Sequence, residues 1–89
     1  MQHIEIKWTD NSESHIARHG VALKEVEEVL SGLPLLLLNG REGTRLAYGQ
    51  TYAGRYRFVV MAEAEDGRAY VVTSRDMTVQ EIRRFRQKG

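Results

Sequence analysis

The sequence contains no cysteine, and this absence removes several kinds of chemistry that small domains often use. It excludes a disulfide framework, a thiolate nucleophile and a cysteine-based zinc site. A chain of this size buries only roughly 60 to 65% of its unfolded surface, so the packing of one modest core must supply the stability. We expect residues 1–89 to form a single domain.

Proline is also scarce, with Pro34 as the one example, and there is no long hydrophobic run. The apolar fraction of 42% and the charged fraction of 28% are ordinary for a soluble globular protein. No stretch is long enough to span a bilayer, and no signal-peptide pattern follows Met1. We expect a cytoplasmic protein that does not associate with membranes.

The net charge is only +1, but it is unevenly distributed. Residues 1–40 carry three basic and six acidic side chains, a net charge of −3, whereas residues 41–89 carry ten basic and six acidic side chains, a net charge of +4. A basic surface concentrates polyanions near it. The second half of the chain is therefore the part that we expect to contact nucleic acid.

The first forty residues predict a strand followed by two helices. Polar and apolar side chains alternate over residues 3–8, from His3 onward, which is typical of a strand with one buried face. A short helix is predicted at residues 13–19, with Asp10 or Asn11 as its cap and Gly20 as the residue that ends it. A second helix is predicted at residues 22–30, where the apolar residues form one stripe.

The rest of the chain predicts a sheet and a final helix. Residues 35–38 are four consecutive leucines, a run too short for a helix, and we expect a strand that is buried or covered by a partner. Residues 45–52, 55–64 and 68–74 predict three antiparallel strands joined by tight turns. A helix begins at Thr78, where Glu81 completes a capping box. Its apolar stripe is Val79, Ile82 and Phe85. The element order predicts an α+β fold with an antiparallel meander sheet.

Arginine recurs along the predicted strands, and strand alternation assigns each arginine to a face. It sets Arg55 and Arg57 opposite the apolar residues of their strand, and it sets Arg75 on the same face as Thr73 and Val71. If the core takes the larger apolar set, the arginines share the other face. We then expect Arg45, Arg55 and Arg75 to form a phosphate clamp, with Arg57 in an auxiliary role. Solvated arginines on an open sheet face are the more common alternative.

Several short motifs, in order along most of the chain, resemble one known family. They are Trp8-Thr9-Asp10, Ala17-Arg18-His19-Gly20-Val21, Glu25-Val26, Glu42-Gly43-Thr44-Arg45, Gly54-Arg55 and Thr73-Ser74-Arg75. The chain resembles the BrnT-type toxins of bacterial type II toxin-antitoxin modules. The resemblance implies a RelE-like ribonuclease fold and a metal-independent endoribonuclease, a hydrolase of RNA, that inhibits translation. It also implies neutralisation by a cognate antitoxin, often one with a ribbon-helix-helix DNA-binding domain.

Two positions depart from the family pattern. Ala22 stands where relatives commonly have Ser or Thr, and alanine cannot cap the following helix with its side chain. Asp76 follows the motif arginine, where many relatives have a small or basic residue. Its carboxylate either lowers the positive potential at Arg75, orients that arginine through a hydrogen bond, or assists the start of the Thr78 helix.

RNA cleavage through the 2′-hydroxyl needs a proton acceptor, stabilisation of the growing negative charge and a proton for the departing 5′-oxygen. Guanidinium groups serve the second task directly. His19 is our candidate for proton transfer, although a histidine before a helix-ending glycine is more often a capping or packing group. Other candidates are the carboxylates and phenols at Glu42, Glu63, Tyr48, Tyr52, Tyr56 and Tyr70.

Further contacts with RNA are expected from Arg57 and from the exposed face of the last helix, at Arg83, Arg84 and Arg86. We expect no metal and no cofactor, because His15 and His19 have the spacing of two ligands but no third ligand follows. The alternative function is a non-catalytic module of the same fold that binds the antitoxin or RNA. A general RNA-binding domain is a weaker alternative, since there is no aromatic-rich platform. A homo-oligomer is also possible because of the leucine run.

Overall fold

The computed structural model describes residues 4–88. Within that range the chain forms five strands and three α-helices. In chain order these are β1 (Ile6–Lys7), α1 (Asp10–Ala17), α2 (Leu23–Ser31), β2 (Leu36–Asn39), β3 (Arg45–Gln50), β4 (Tyr56–Glu63), β5 (Ala69–Asp76) and α3 (Val79–Lys88). The α+β class and the order of the elements are confirmed. His3, the first residue of the predicted initial strand, lies outside the described residues.

All five strands belong to one sheet, in the order β1-β5-β4-β3-β2. The last four strands in the chain form the antiparallel meander that the sequence predicted. β1 joins the sheet next to β5 in the parallel direction, with Ile6 opposite Ala69 and Lys7 opposite Tyr70. The leucine run is therefore an edge strand, and Leu38 is 42% exposed.

Helices α1 and α2 cover one face of the sheet, which we call the first face. Their apolar residues pack against alternate residues of the central strands. The buried members of this core are Ile16, Val21, Val26, Val29, Leu30, Ala47, Val59, Met61 and Val71. Gly49 allows α2 to approach β3 closely, because a Cβ atom there would lie 3.0 Å from Val29 Cγ1.

Helix α3 covers the other face, which we call the second face, so the sheet is buried on both sides. Phe58, Met77 and Phe85 form the centre of this smaller core, and Ile82 packs at its edge. The prediction that Val79 belongs to the same stripe is wrong, because Val79 is 70% exposed. It is the first residue of α3, one turn before Ile82, and it is not among the residues that pack in this core.

The start of α1 differs from the prediction. Thr9, rather than Asp10 or Asn11, is the capping residue, and its Oγ1 accepts a hydrogen bond from the Ser12 amide at 3.1 Å. The buried Ser12 hydroxyl accepts in return from the Thr9 amide at 3.0 Å, so two amides at the helix end are satisfied by one pair of residues. The helix also ends earlier, at Ala17, and Gly20 has the predicted left-handed conformation with φ 73°.

The other two helix starts follow the prediction more closely. The side chain of Ala22 does not cap α2, as expected, but Glu25 Oε1 accepts from the Ala22 amide at 3.0 Å. The capping box of α3 is confirmed, since the Thr78 amide donates to Glu81 Oε1 at 2.8 Å and the Glu81 amide donates to Thr78 Oγ1 at 3.1 Å. In both helices the negative charge of a glutamate in the first turn also interacts favourably with the positive end of the helix dipole.

A bulge in β5 changes which residues share a face. Val60 lies opposite Thr73, but the next residue, Met61, lies opposite Val71, so Val72 is an extra residue. Residues before and after the bulge consequently alternate out of phase. Val71 packs in the first-face core, whereas Arg75 lies over Phe58 on the second face. The prediction that Arg75 shares a face with Val71 is wrong for this reason.

Candidate functional site

Arg75 is held in a fixed orientation on the second face. Its Nη1 donates to Glu81 Oε1 at 2.8 Å and its Nη2 donates to Glu81 Oε2 at 3.1 Å, which is a bidentate ion pair. Nη1 also donates to the main-chain oxygen of Asp76 at 2.9 Å. The ion pair with Glu81 raises the pKa of Arg75 and opposes the effect of burial, so the group stays charged. Arg75 is still 37% exposed and is open to a ligand.

Two aromatic rings lie beneath this arginine. The guanidinium carbon is 4.4 Å from the centroid of the Phe58 ring, which is the geometry of a cation–π contact. The Tyr48 ring is 4.9 Å from the Phe58 ring between centroids. Phe58 lies directly opposite both residues in the sheet register, with Tyr48 on β3 and Arg75 on β5. Three adjacent strands thus supply one surface.

The hydroxyl end of Tyr48 lies in a charged environment. Burial raises the pKa of Tyr48 first, and the Glu81 carboxylate raises it further, while Arg75 and Arg84 act in the opposite direction. Arg84, on α3, also lines a small groove with Tyr48 and Glu81. We call Tyr48, Arg75, Glu81 and Arg84 the Tyr48 cluster. It combines two guanidinium groups with a phenol that is protonated at neutral pH.

Arg57 is the most deeply placed arginine among the described residues, with 2% of its side chain exposed. Its Nη2 donates to Glu25 Oε2 at 3.0 Å, and its Nη1 forms an ion pair with the Asp76 carboxylate. Arg57 therefore joins α2 to the sheet and cannot contact RNA in this arrangement. The prediction of a direct RNA contact did not anticipate this, because Arg57 lies on the core side of β4 together with Val59.

The Glu25 carboxylate is stabilised in its charged form. The hydrogen bond from the Ala22 amide lowers the pKa of Glu25, burial raises it, and the contact with Arg57 and the nearby charge of Arg55 lower it further. A charged carboxylate is what a buried guanidinium requires as a neighbour. We call Glu25, Arg57 and Asp76 the Arg57 cluster.

The structure does not bring Arg45, Arg55 and Arg75 together. Arg45 begins β3 opposite Met61 and lines a cavity of about 340 Å³ with Arg68, whereas Arg55 follows the turn at the far end of the same hairpin. The two ends of β3 are five residue steps apart, or about 17 Å along a strand. Arg75 lies on the second face beyond the bulge. The expectation of a shared face is wrong for Arg75, because the bulge places it on the second face, and Arg45 and Arg55 lie at opposite ends of their hairpin.

His19 lies apart from the Tyr48 cluster. It is exposed and follows α1 in the turn that leads to α2, and both helices pack on the first face. The sheet therefore separates His19 from Arg75. The remaining proton acceptors that the sequence suggested are also elsewhere: Glu42 is in a short turn of 3₁₀ helix before β3, and Glu63 lines the cavity beside Arg45.

The three arginines of α3 divide between two surfaces. Arg84 faces the groove beside Tyr48, with Leu36 and Leu38 of the edge strand on its other side. Arg83 and Arg86 lie with Val79 and Gln87 on a shallow outer surface of the helix. Among the described residues, these three side chains form no ion pair. They are available to an anionic partner.

Sequence reasoning did not distinguish Tyr48 from three other tyrosines, and it treated Glu81 only as a helix cap. A signal for Tyr48 was present, since it alternates with Ala47 and Gly49 and must face away from α2. The second role of Glu81, as the ion-pair partner of Arg75, depends on the contact between α3 and β5, and no local sequence pattern indicates that contact.

The described part of the chain contains no group of three or more His, Cys, Asp or Glu side chains placed to hold a metal ion. Nor does residue range 4–88 include a helix that is long and apolar enough to cross a membrane. Comparison with protein-family models, with curated proteins and with solved structures gave no match.

Proposed function

We propose that this chain is a metal-independent endoribonuclease of RelE-like fold, a BrnT-like toxin that cleaves RNA in the cytoplasm and inhibits translation. The observation that carries the proposal is the Tyr48 cluster, in which Arg75 is held over Phe58 by Glu81 beside a protonated phenol and a second arginine. The net charge of +4 in residues 41–89 favours the approach of a polyanion.

Arg75 has the donors that a reacting phosphate requires. A guanidinium carries five N–H groups, and three of those on Arg75 are used by Asp76 and Glu81. The Nε–H and one Nη2–H are left for the non-bridging oxygens of a phosphodiester. Because Glu81 and Phe58 already fix the guanidinium plane, these donors stabilise the charge that develops in the transition state without first becoming ordered.

Tyr48 completes the reaction as the proton donor. The 2′-oxygen of the RNA attacks phosphorus, the bond from phosphorus to the 5′-oxygen breaks, and the products are a 2′,3′-cyclic phosphate and a 5′-hydroxyl. The proton on the 2′-hydroxyl passes to water, and the Tyr48 hydroxyl gives its proton to the departing 5′-oxygen. Arg84 adds a second positive charge beside the phosphate.

The proposal is tested by incubating the purified protein with a structured RNA in the presence of a chelator and mapping the new ends. Tyr48→Phe removes only the hydroxyl and should slow cleavage by something on the order of 10²-fold or more. Tyr52→Phe is the matched control, since Tyr52 is exposed in the turn after β3, where its amide donates to Glu28 of the first-face helix α2. Equal rates for Tyr48→Phe and the parent protein would refute the role of Tyr48, and no cleavage by the parent would refute the ribonuclease.

The same protein is proposed to bind a cognate antitoxin that carries a ribbon-helix-helix DNA-binding domain. The supporting observation is the groove between the edge strand and α3, where Leu36 and Leu38 lie next to Arg84. A neutralising segment with apolar and acidic side chains would complement this groove and cover the Tyr48 cluster. Co-purification with the product of the adjacent reading frame tests this, and Leu38→Lys should weaken the complex.

The second candidate function, a binding module without catalysis, uses the same groove. The exposed leucine and the three α3 arginines favour it as well. The two functions are separated by one comparison: a chain that binds the neighbouring gene product but leaves RNA intact in chelator is the module and not the enzyme.

A further inference from the structure

The Arg57 cluster contains more negative charge than its arginine requires. One buried guanidinium is shared by two carboxylates, those of Glu25 and Asp76. Glu25 alone neutralises Arg57, and its position in the first turn of α2 gives it a second stabilising contact with the Ala22 amide. Asp76 is therefore surplus to the charge balance of the buried pair.

The two carboxylates differ in their access to solvent. The Asp76 side chain is 71% exposed although the guanidinium that it binds is almost completely buried. Asp76 lies directly opposite Arg57 at the end of β5, so its carboxylate stands between the arginine and water. One oxygen of this carboxylate binds Nη1 of the guanidinium, a contact that a single phosphate oxygen could also make.

Two further observations concern the donors and charges around Arg57. Its Nε is buried and has no hydrogen-bond partner, so the guanidinium keeps an unused donor on the edge that it shares with the Glu25-bound Nη2. Arg55 is exposed, and its charge reaches Glu25, as the lowered pKa of that carboxylate shows after the larger effects of the Ala22 amide and Arg57. Without Asp76, the remaining charges of Arg55, Arg57 and Glu25 leave a net positive site.

We infer that Asp76 occupies a phosphate-binding site formed by Arg57 and Arg55, and that a backbone phosphate of RNA displaces it. This inference rests on the proposed function for the identity of the ligand, because the site would bind a second phosphate of the strand cleaved at the Tyr48 cluster. Asp76 connects the two sites: its carboxylate binds Arg57 and its main-chain oxygen binds Arg75. RNA that displaces the Asp76 carboxylate therefore acts on a residue whose main-chain oxygen also accepts a hydrogen bond from Arg75.

The test compares two substitutions that each remove one exposed carboxylate from an ion pair with an arginine. Asp76→Ala opens the Arg57 site, and Asp66→Ala breaks the exposed pair with Arg68 in the turn between β4 and β5. A 2′-deoxy oligonucleotide, which cannot be cleaved through a 2′-hydroxyl, is titrated into each protein by calorimetry. Asp76→Ala should bind it roughly tenfold more tightly than Asp66→Ala. Equal affinities would overturn the inference, because they would reduce the effect to net charge.

A direct measurement identifies the atoms involved. In nuclear magnetic resonance spectra of the arginine side chains, the Nη signals of Arg57 should move when inorganic phosphate is added to Asp76→Ala, and should move much less in the parent protein. Adding Arg55→Ala to Asp76→Ala should abolish the gain in affinity. An Arg57 signal that ignores phosphate in the open variant would refute the site.

Controls for folding and for the proposed function keep the outcomes separate. Thermal unfolding checks each variant, and Asp76→Asn, which keeps the size of the side chain, replaces Asp76→Ala if the alanine variant does not fold. The readouts are affinity and a resonance position, so they do not depend on cleavage. Failure of the parent to cleave RNA would refute the ribonuclease and leave the anion site to be decided by these titrations.

Discussion

Arg75 and Phe58 lie directly opposite each other on neighbouring strands, and the guanidinium carbon of Arg75 is 4.4 Å from the centroid of the Phe58 ring. This contact fixes the distance of the charge from the sheet, and Glu81 fixes its direction from the side. A charge defined in both respects is suited to a transition state and not only to attraction. The proposed cleavage therefore requires the planar shape of the Arg75 guanidinium and not its charge alone.

The first prediction follows from that requirement. Arg75→Lys keeps the charge but loses the planar group and the bidentate pair with Glu81, so cleavage should fall by something on the order of 10²-fold while binding of a non-cleavable oligonucleotide changes little. Single-turnover cleavage and a binding titration measure the two effects. Arg83→Lys is the control, since Arg83 lies on the outer surface of α3, whereas Arg84 lies beside Tyr48. If both lysine variants cleave as fast as the parent, Arg75 is not catalytic.

The second prediction concerns the attachment of α2 to the sheet. Glu25→Gln removes a carboxylate from the buried Arg57 and weakens the contact with the Ala22 amide, so the free energy of unfolding should fall by about 2 kcal/mol. Urea unfolding with an unchanged slope measures this. Glu13→Gln, at an exposed position of α1, should cost much less. Equal losses for the two variants would show that Arg57 does not depend on Glu25.

The third prediction concerns acid stability. The contact with Arg75 lowers the pKa of Glu81 from its ordinary value of 4.5, burial raises it, and the hydrogen bonds from Thr78 lower it further. Because the folded protein favours the charged form, the contribution of Glu81 is complete above pH 4.5 and is lost as the pH falls below that value through the lower pKa of the folded state.

The measurement is the free energy of unfolding of the parent and of Glu81→Gln across that range. The two proteins should differ by about 1 to 2 kcal/mol at neutral pH, and the difference should shrink on acidification. Glu65→Gln, an exposed variant between β4 and β5, should show no such trend. A difference that stays constant from neutral pH to pH 3 would contradict the assignment.

The fourth prediction concerns salt. RNA affinity should decrease linearly with salt on logarithmic axes, because each phosphate neutralised on a single strand contributes a slope of about −0.7. Replacing both Arg83 and Arg86 by Gln should reduce the slope by roughly 0.7 for each arginine that contacts a phosphate. Lys24→Gln on α2 serves as the control, as it changes charge on the first-face side. Binding that does not respond to salt would contradict the basic surface.

The predictable part of the fold is the part with local signals. The capping box at Thr78 and Glu81, the left-handed Gly20 and the glycine turns between strands each specify a boundary through a few adjacent residues. The start of α1 was less predictable, because Thr9 and Asp10 are both good caps and only the buried Ser12 decides between them. The parallel pairing of β1 with β5 could not be inferred, since no local sequence pattern around Ile6 indicates that it pairs with Ala69.

The site was less predictable than the fold for a geometric reason. Alternation assigns residues to faces correctly only while the strand is regular. The extra residue Val72 shifts the alternation by one, so residues after it, such as Arg75, face the opposite side from the one that counting from Val71 predicts. Alternation correctly separates Arg57 from Phe58, but the prediction takes the Phe58 side of β4 as the core, whereas α2 also covers the side on which Arg57 lies with Val59. Arg57 is therefore a buried group and not the surface group that the prediction expects.

The pairing of β1 with β5 has a consequence for the synthesis of the protein. Of the five strands, β1 is synthesised first, and β5, the strand beside it in the sheet, is synthesised last. Contacts between such distant parts of a chain form slowly, because a long loop must close before they contribute. α1 packs against the same late strand. β1 and α1 therefore lack the strand that they pack against until β5 has been synthesised.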